Sequence, residues 1–328
     1  MSLKHCATAR AHPNIALVKY WGKRDSRLNL PAAGSISITL DTLLTETKVE
    51  FDEQLAADSL ELNGEPDPYR LPRVTACLDR LRVLARCQLR ARVSSHNNFP
   101  TAAGLASSAS GFAALVQAGA AALELDLSAD ELSIQARRGS GSAARSIFSG
   151  FVEMRAGRRK DGSDSVAHCL ATPDHWPLSV VVAITSDQVK SKSSGEGMEL
   201  TRLTSPFYSA WIKDIKRDLP IAKQAISGRD FEQLTMVSEH SCLKMHAVML
   251  SSNPGLVYWN GATVDCINAI RELRRQGQSV FFSVDAGPQV KAVCLPEDAG
   301  RVAMALENIA GVQGTLVTGL GGGAWSGE

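Results

Sequence analysis

An α+β fold is predicted for this chain of 328 residues, on three observations. Apolar and polar side chains alternate with a period of two over residues 35–40 and 45–51, as half-buried strands do. Residues 74–84 and 112–125 instead carry apolar side chains at helical spacing. No segment repeats along the chain, and no stretch rich in Pro, Gly or Ser divides it. The boundary between an amino-terminal unit, 1–180, and a carboxy-terminal unit, 181–328, is therefore soft.

In chain order, 35–40 and 45–51 read as strands, and 74–84 as an amphipathic helix with Arg73, Arg80 and Arg82 nearby. Residues 89–95 form another strand that runs into a loop rich in small residues, and the alanine-rich stretch 112–125 continues as a helix. Ser128 caps the next helix, whose first turn is acidic and which ends before Gly139. Polar, glycine-containing residues 157–165 make a hairpin loop, and the unbroken apolar run 178–184 suits a buried strand. Residues 206–249 read as two long helices broken near Ser227-Gly228, and 262–275 as a third. Strands return at 280–284, 290–295 and 315–317, with 297–309 helical between the last two.

Composition excludes several classes. With 44% hydrophobic residues, 21% charged and a formal charge of +1, nothing suggests disorder, a nucleic-acid footprint or a membrane-surface patch. A small anionic ligand has to be met by local basic residues. Seven scattered cysteines without a CxxC pair argue against a disulfide framework and a zinc site, so most are expected to be buried and reduced. The histidines show no metal-ligand spacing. No basic-then-apolar leader opens the sequence and no apolar run approaches the ~18 residues of a membrane span, so a cytoplasmic protein is expected.

The most informative segment is Asn97-Asn98-Phe99-Pro100-Thr101-Ala102-Ala103-Gly104-Leu105-Ala106-Ser107-Ser108-Ala109-Ser110-Gly111. A glycine turn followed by small residues at a helix start exposes backbone N–H groups that suit phosphate oxygens, and the serines add hydroxyls for phosphate or Mg²⁺. A tightly packed helix start explains the same letters. Asp285 ends an apolar strand before Ala286-Gly287-Pro288, holding a carboxylate at a tip; a turn aspartate bonding its own backbone fits as well. Lys19 lies in an alternating stretch, where a solvated strand lysine is the alternative to a charge at a site. Arg145 follows Gly139-Ser140-Gly141-Ser142, so it is either a surface-loop arginine or a planar fork for carboxylate or phosphate.

Several longer blocks carry a resemblance. Pro13-Asn14-Ile15-Ala16-Leu17-Val18-Lys19-Tyr20-Trp21-Gly22-Lys23-Arg24-Asp25, Leu28-Asn29-Leu30-Pro31 and Ser35-Ile36-Ser37-Ile38-Thr39-Leu40 come first. Arg138-Gly139-Ser140-Gly141-Ser142-Ala143-Ala144-Arg145-Ser146 and Phe282-Ser283-Val284-Asp285-Ala286-Gly287-Pro288 follow. In this order they resemble the signatures of diphosphomevalonate decarboxylases. The 97–111 loop resembles the phosphate-binding motif of the wider galactokinase, homoserine kinase, mevalonate kinase and phosphomevalonate kinase (GHMP) superfamily.

The resemblance implies a GHMP kinase-like two-layer fold. A ribosomal-protein-S5-like amino-terminal half would hold the ATP loop, a ferredoxin-like carboxy-terminal half would supply Asp285, and the active site would lie between them. It implies ATP-dependent decarboxylation of (R)-5-diphosphomevalonate to isopentenyl diphosphate, ADP, phosphate and CO₂, with ATP and Mg²⁺ as cofactors and a homodimer as the assembly. Asp285 would approach the substrate C3 hydroxyl, Lys19 would lie near that hydroxyl and the phosphates, and Asn14 would support the arrangement. Arg145 would grip the substrate carboxylate or diphosphate, with Ser140, Ser142 and Ser194 on phosphate oxygens and Tyr20 on the substrate. Lys23, read as sharing a strand face with Lys19, would meet the diphosphate with Arg73. Asn97, Pro100, Gly104, Leu105, Ala106, Ser107 and Ser108 would cradle ATP. Two places depart from the pattern: Pro31-Ala32-Ala33-Gly34 lacks two polar side chains, and Gly195 stands where bacterial members can carry arginine. A mevalonate or phosphomevalonate kinase of the same superfamily and a non-catalytic ligand-binding relative are the alternatives.

Overall fold

The computed structural model describes residues 4–99, 107–188 and 192–327. Within them lie eight α-helices: α1 Leu71–Ala85, α2 Ser107–Ala122, α3 Ala129–Gly139, α4 Ser194–Thr204, α5 Tyr208–Gly228, α6 Phe231–Leu250, α7 Gly261–Arg275 and α8 Ala299–Glu307.

The amino-terminal half carries two larger sheets and one two-stranded ribbon. One orders its strands Trp325–Ser326, Lys4–Ala11, Thr45–Asp52, Arg90–Asn97, Ser59–Leu62 and Glu65–Pro66. Its neighbours are antiparallel except where Ser59–Leu62 runs parallel to Arg90–Asn97. Alternation in Thr45–Asp52 turns Val49 and Phe51 inward, where they pack with Ala91, Val93 and the alanine-rich α2. The other sheet orders Ala167–Ala171, Phe151–Met154, Ser35–Thr39 and Asn14–Val18, all antiparallel. The polar run 157–165 connects Phe151–Met154 to Ala167–Ala171, an antiparallel pair at one edge of this sheet, as expected of a hairpin loop.

The carboxy-terminal sheet is antiparallel, in the order Val280–Val284, Val290–Cys294, Ser179–Ile184 and Gly314–Thr318. One face meets α7 and α8 through Val181, Ala183, Phe282, Val290, Ala292, Ile270 and Val302. The other face belongs to the largest core, which joins both halves: Ile15, Leu17, Ile36 and Ile38 pack in one cluster with Val180, Val182, Trp211, Phe281 and Val293. Ser128 and Glu131 form a reciprocal capping box at α3. α5 ends where Arg229 turns left-handed, and Asp230 caps α6.

One expectation is corrected. Lys19 and Lys23 do not share a strand: Asn14–Val18 ends before Lys19, Gly22 turns the chain at φ +119°, and Lys23 begins the short strand Lys23–Asp25, paired with Leu30–Pro31. A side chain at Gly22 would run into the Tyr208 hydroxyl, so both the turn and its packing require glycine. All seven cysteines are free; Cys77, Cys242, Cys266 and Cys294 are buried, whereas Cys6 and Cys169 are exposed.

Candidate active site

Asp285 stands just past the strand Val280–Val284, at the seam between the halves. Lys19 reaches it from the end of Asn14–Val18: Nζ lies 2.6 Å from Asp285 Oδ1 and donates to Ser283 Oγ at 2.7 Å. Ser283 Oγ in turn donates to the Ala16 carbonyl, and the Lys19 backbone N–H donates to Ser241 Oγ on α6. The Lys19 side chain is fully buried, while 26% of the Asp285 side chain remains open. On the other side Lys291 Nζ is 3.4 Å from Asp285 Oδ2. Burial pushes the Asp285 carboxyl upward, but Lys19 and Lys291 more than reverse this and hold it well below the usual carboxylate range.

Arg145 belongs to a short 3₁₀ turn after α3 and is 2% exposed. Its Nε donates to Asn14 Oδ1 and Ser37 Oγ, Nη1 donates to Ser35 Oγ at 2.9 Å, and Nη2 donates to Asn14 Oδ1 at 3.1 Å. Among the described residues no carboxylate lies within ion-pair range of this guanidinium. Each Nη keeps a further N–H beyond these bonds. Burial lowers Arg145 to about 10, against the opposing pull of Tyr20 and Asp285. Asn14 is fixed in turn by donating to the Ser142 carbonyl and Ser146 Oγ. Tyr20 lies under the guanidinium, 5.9 Å from Arg145 Cζ to its ring centroid. Its hydroxyl is buried and unpartnered among the described residues, against the backbone of Gly141.

The predicted phosphate-binding hydroxyls converge where α2 begins and α3 ends. Ser140 Oγ lies 3.3 Å from Ser142 Oγ and 3.4 Å from Ser108 Oγ. Asn97 is buried and accepts from Thr45 Oγ1. Ser107 opens α2, whereas Pro100, Gly104, Leu105 and Ala106 lie outside the described residues. Arg73 donates to the Gly139 carbonyl and stacks over Phe112. Lys23 is held below the lysine range first by burial and then by the Arg73 charge, so two cations face one region. Ser194 opens α4 behind a Ser193–Glu196 capping box, and a Cβ at Gly195 would sit 3.9 Å from Lys23 Nζ.

Sequence reasoning brought Lys19, Asp285, Arg145 and Asn14 forward and missed their supports. Ser35 and Ser37 stand in one of the resembling blocks and in a predicted strand without a site role, although two serines on one face of an otherwise apolar strand are a signal. Lys291, inside Val290–Cys294, was passed over for the same reason.

A buried arginine with no carboxylate in ion-pair range among the described residues, a lysine-clamped aspartate and converging hydroxyls at a helix start together suit an anionic small molecule, as in an enzyme site. The chain matches the family models of the diphosphomevalonate decarboxylase-like N-terminal domain over residues 11–167 and the mevalonate 5-diphosphate decarboxylase C-terminal domain over 180–317. It is 40% identical over 299 residues to a diphosphomevalonate decarboxylase of Candida albicans, covering 87% of this chain and 83% of that one. A solved structure of MDDEF in complex with MVAPP, AMPPCP and magnesium superposes at a TM-score of 0.93, with 38% identity over 99% of this chain and 100% of that chain. A second, on the mevalonate diphosphate-mediated ATP binding mechanism of the mevalonate diphosphate decarboxylase from Enterococcus faecalis, gives 0.91 at 37% identity over 99% and 100%. The chain belongs to the diphosphomevalonate decarboxylase family and has its GHMP kinase-like α+β fold.

Proposed function

We propose that this chain converts (R)-5-diphosphomevalonate and ATP to isopentenyl diphosphate, ADP, phosphate and CO₂. The observation that carries this reading is the opposition of Asp285, clamped by lysines, to Arg145, a buried cation with spare donors and no carboxylate in ion-pair range among the described residues. Arg145 suits the substrate carboxylate, and Lys23 and Arg73 with Ser140, Ser142 and Ser194 suit the diphosphate. Tyr20 lines the substrate, and Asn14 holds Arg145 in place. Asp285 accepts the C3 hydroxyl's hydrogen bond and orients that oxygen at the γ-phosphorus. A carboxylate this acidic is a weak base, which suits a loose phosphoryl-transfer transition state in which the proton leaves late. Lys19 stabilises the charge on the transferring group. Once the phosphoryl is on C3–O, that bond breaks with its electrons going to phosphate. The C1–C2 pair then closes the alkene as CO₂ leaves.

ATP is assigned to the loop from Asn97 through Pro100, Gly104, Leu105 and Ala106 to Ser107 and Ser108. Among the described residues no three His, Cys, Asp or Glu side chains gather as a ligand set. Mg²⁺ would accompany the ATP, with the serine hydroxyls of that loop as oxygen ligands, and would neutralise the charge of the phosphates. Units 1–180 and 181–328, a homodimeric assembly and a cytoplasmic location complete the proposal. The gap between the two family-model matches supports the boundary. No described helix is long and apolar enough to cross a membrane.

The test is ADP and CO₂ release on mevalonate, its 5-phosphate and its 5-diphosphate. Equal ADP and CO₂ from the 5-diphosphate is the expected result. ADP without CO₂ would instead make the chain a kinase, and no turnover on any of the three would leave a binding protein.

A further inference from the structure

Lys291 occupies a place where a strand normally carries an apolar residue. Every residue of Val290–Cys294 is buried, and Lys291 is 2% exposed. The register sets Lys291 opposite Ser283 on one side and Val182 on the other, so the three share one face of the sheet. Val290, Ala292 and Cys294 pack on the other face, in the core with α7 and α8. Lys291 therefore looks toward the amino-terminal half, from which Lys19 enters. Its Nζ lies 3.4 Å from Asp285 Oδ2 and donates to the Gln289 carbonyl at 3.3 Å, while Lys19 holds Oδ1. One ammonium would neutralise Asp285, and burying a second is costly unless it does something more.

We propose that Lys291 is a positioning residue: it holds Oδ2 while Lys19 holds Oδ1, so that the carboxylate presents one fixed plane to the reacting hydroxyl. The cluster, two ammonium groups on one carboxylate, keeps a positive charge in excess for the anionic reactant. This role rests on the reaction proposed above. Among the described residues the titratable and charged groups facing the cluster are Asp285, Lys19, Arg145 from the 3₁₀ turn after α3 and, from α6, Cys242 and His246. Burial lowers the Lys291 ammonium, and Asp285 partly restores it.

The experiment compares wild type with Lys291→Met and Lys291→Arg, each checked for folding by circular dichroism and Tm. With 5-diphosphomevalonate and ATP, Lys291→Met should lose about 10²-fold in kcat, with both KM values within about threefold. The acid limb of kcat should move to higher pH, because Asp285 loses one cation that keeps it ionised. Lys291→Arg keeps the charge and should keep the limb. A second readout needs no turnover: the Asp285 carboxyl ¹³C resonance, assigned by its loss in Asp285→Asn, should titrate at higher pH in Lys291→Met. An unmoved resonance, or a kcat within about twofold of wild type, overturns the role of Lys291. A wild type that releases no CO₂ while the resonance moves overturns the reaction and supports the clamp. If Lys291→Met does not fold, Lys291→Gln, neutral but still a donor, is read for the same outcomes.

Discussion

Arg145 is a charge surrounded by neutral oxygens. Asn14, Ser35 and Ser37 satisfy part of the guanidinium but do not neutralise it, so its full interaction is completed only by an anion. Arg145→Gln should therefore keep the fold and lower kcat/KM by about 2–4 kcal/mol of transition-state stabilisation, the scale of losing one partner of a desolvated charge pair. Steady-state kinetics beside a thermal melt check this, and unchanged kinetics would remove Arg145 from the site. Asp285→Asn tests the other pole. The amide oxygen still accepts from Lys19, so ATP and substrate should bind, but turnover should fall at least ~10²-fold. Phosphorylation and CO₂ release should vanish together, because the second step requires the first. Near-normal CO₂ would make Asp285 a turn residue.

At the scale of elements, the start of α2 decides whether the small-residue run binds phosphate or only packs. Ser108 is exposed, with its hydroxyl toward Ser140. Ser108→Ala should shift stability by no more than about 0.5 kcal/mol. It should weaken ATP use by roughly 1–3 kcal/mol if the hydroxyl meets phosphate. A melt paired with the KM for ATP distinguishes these outcomes, and a loss of stability with unchanged ATP kinetics would assign Ser108 to packing. Elements with strong periodicity were legible: α1, α2, α5, α6 and α7 fall where helical spacing put them, and the Ser128 cap opens α3. Lys4–Ala11 and Ser59–Leu62 were not, because their strand character comes from neighbours on either side rather than from a pronounced apolar alternation. α4 carries a legible Ser193-x-x-Glu196 capping box, but the segment reads first through Ser194 as a ligand-binding residue.

Across the whole molecule, the carboxy-terminal segment returns to the first half. Trp325–Ser326 pairs with Lys4–Ala11, and Leu320 bridges to Leu40. Beside that bridge Asp41 Oδ1 accepts from Thr42 Oγ1, Thr318 Oγ1 and the Gly319 N–H. Burial raises the Asp41 carboxyl, but these hydrogen bonds outweigh it and hold the group below its ordinary value. A carboxyl depressed in the folded state stabilises the fold above its unfolded pKa, near 3.9, and loses that contribution as pH falls through the lower folded value. Asp41→Asn should therefore melt below wild type at neutral pH, and the gap should narrow below about pH 4. Parallel melts from pH 7 to 3 measure it, and a constant gap would show that the charge of Asp41 contributes nothing.

Local letters were enough to determine the α+β class, the helix start at α2 and the identity of the chemical groups, because caps, turns and short motifs act within a few residues of themselves. Tertiary structure alone decided which groups meet. Lys19 and Asp285 are 266 positions apart, and only the shared core between the halves brings Nζ to Oδ1. It also separated Lys19 from Lys23 by a turn at Gly22 that sequence alternation had concealed. Lys291 illustrates the limit best. In sequence it is a lysine within a predicted strand and carries no other signal; strand register and burial turn it into the second cation on Asp285, because the free energy of a buried charge depends on what packs against it.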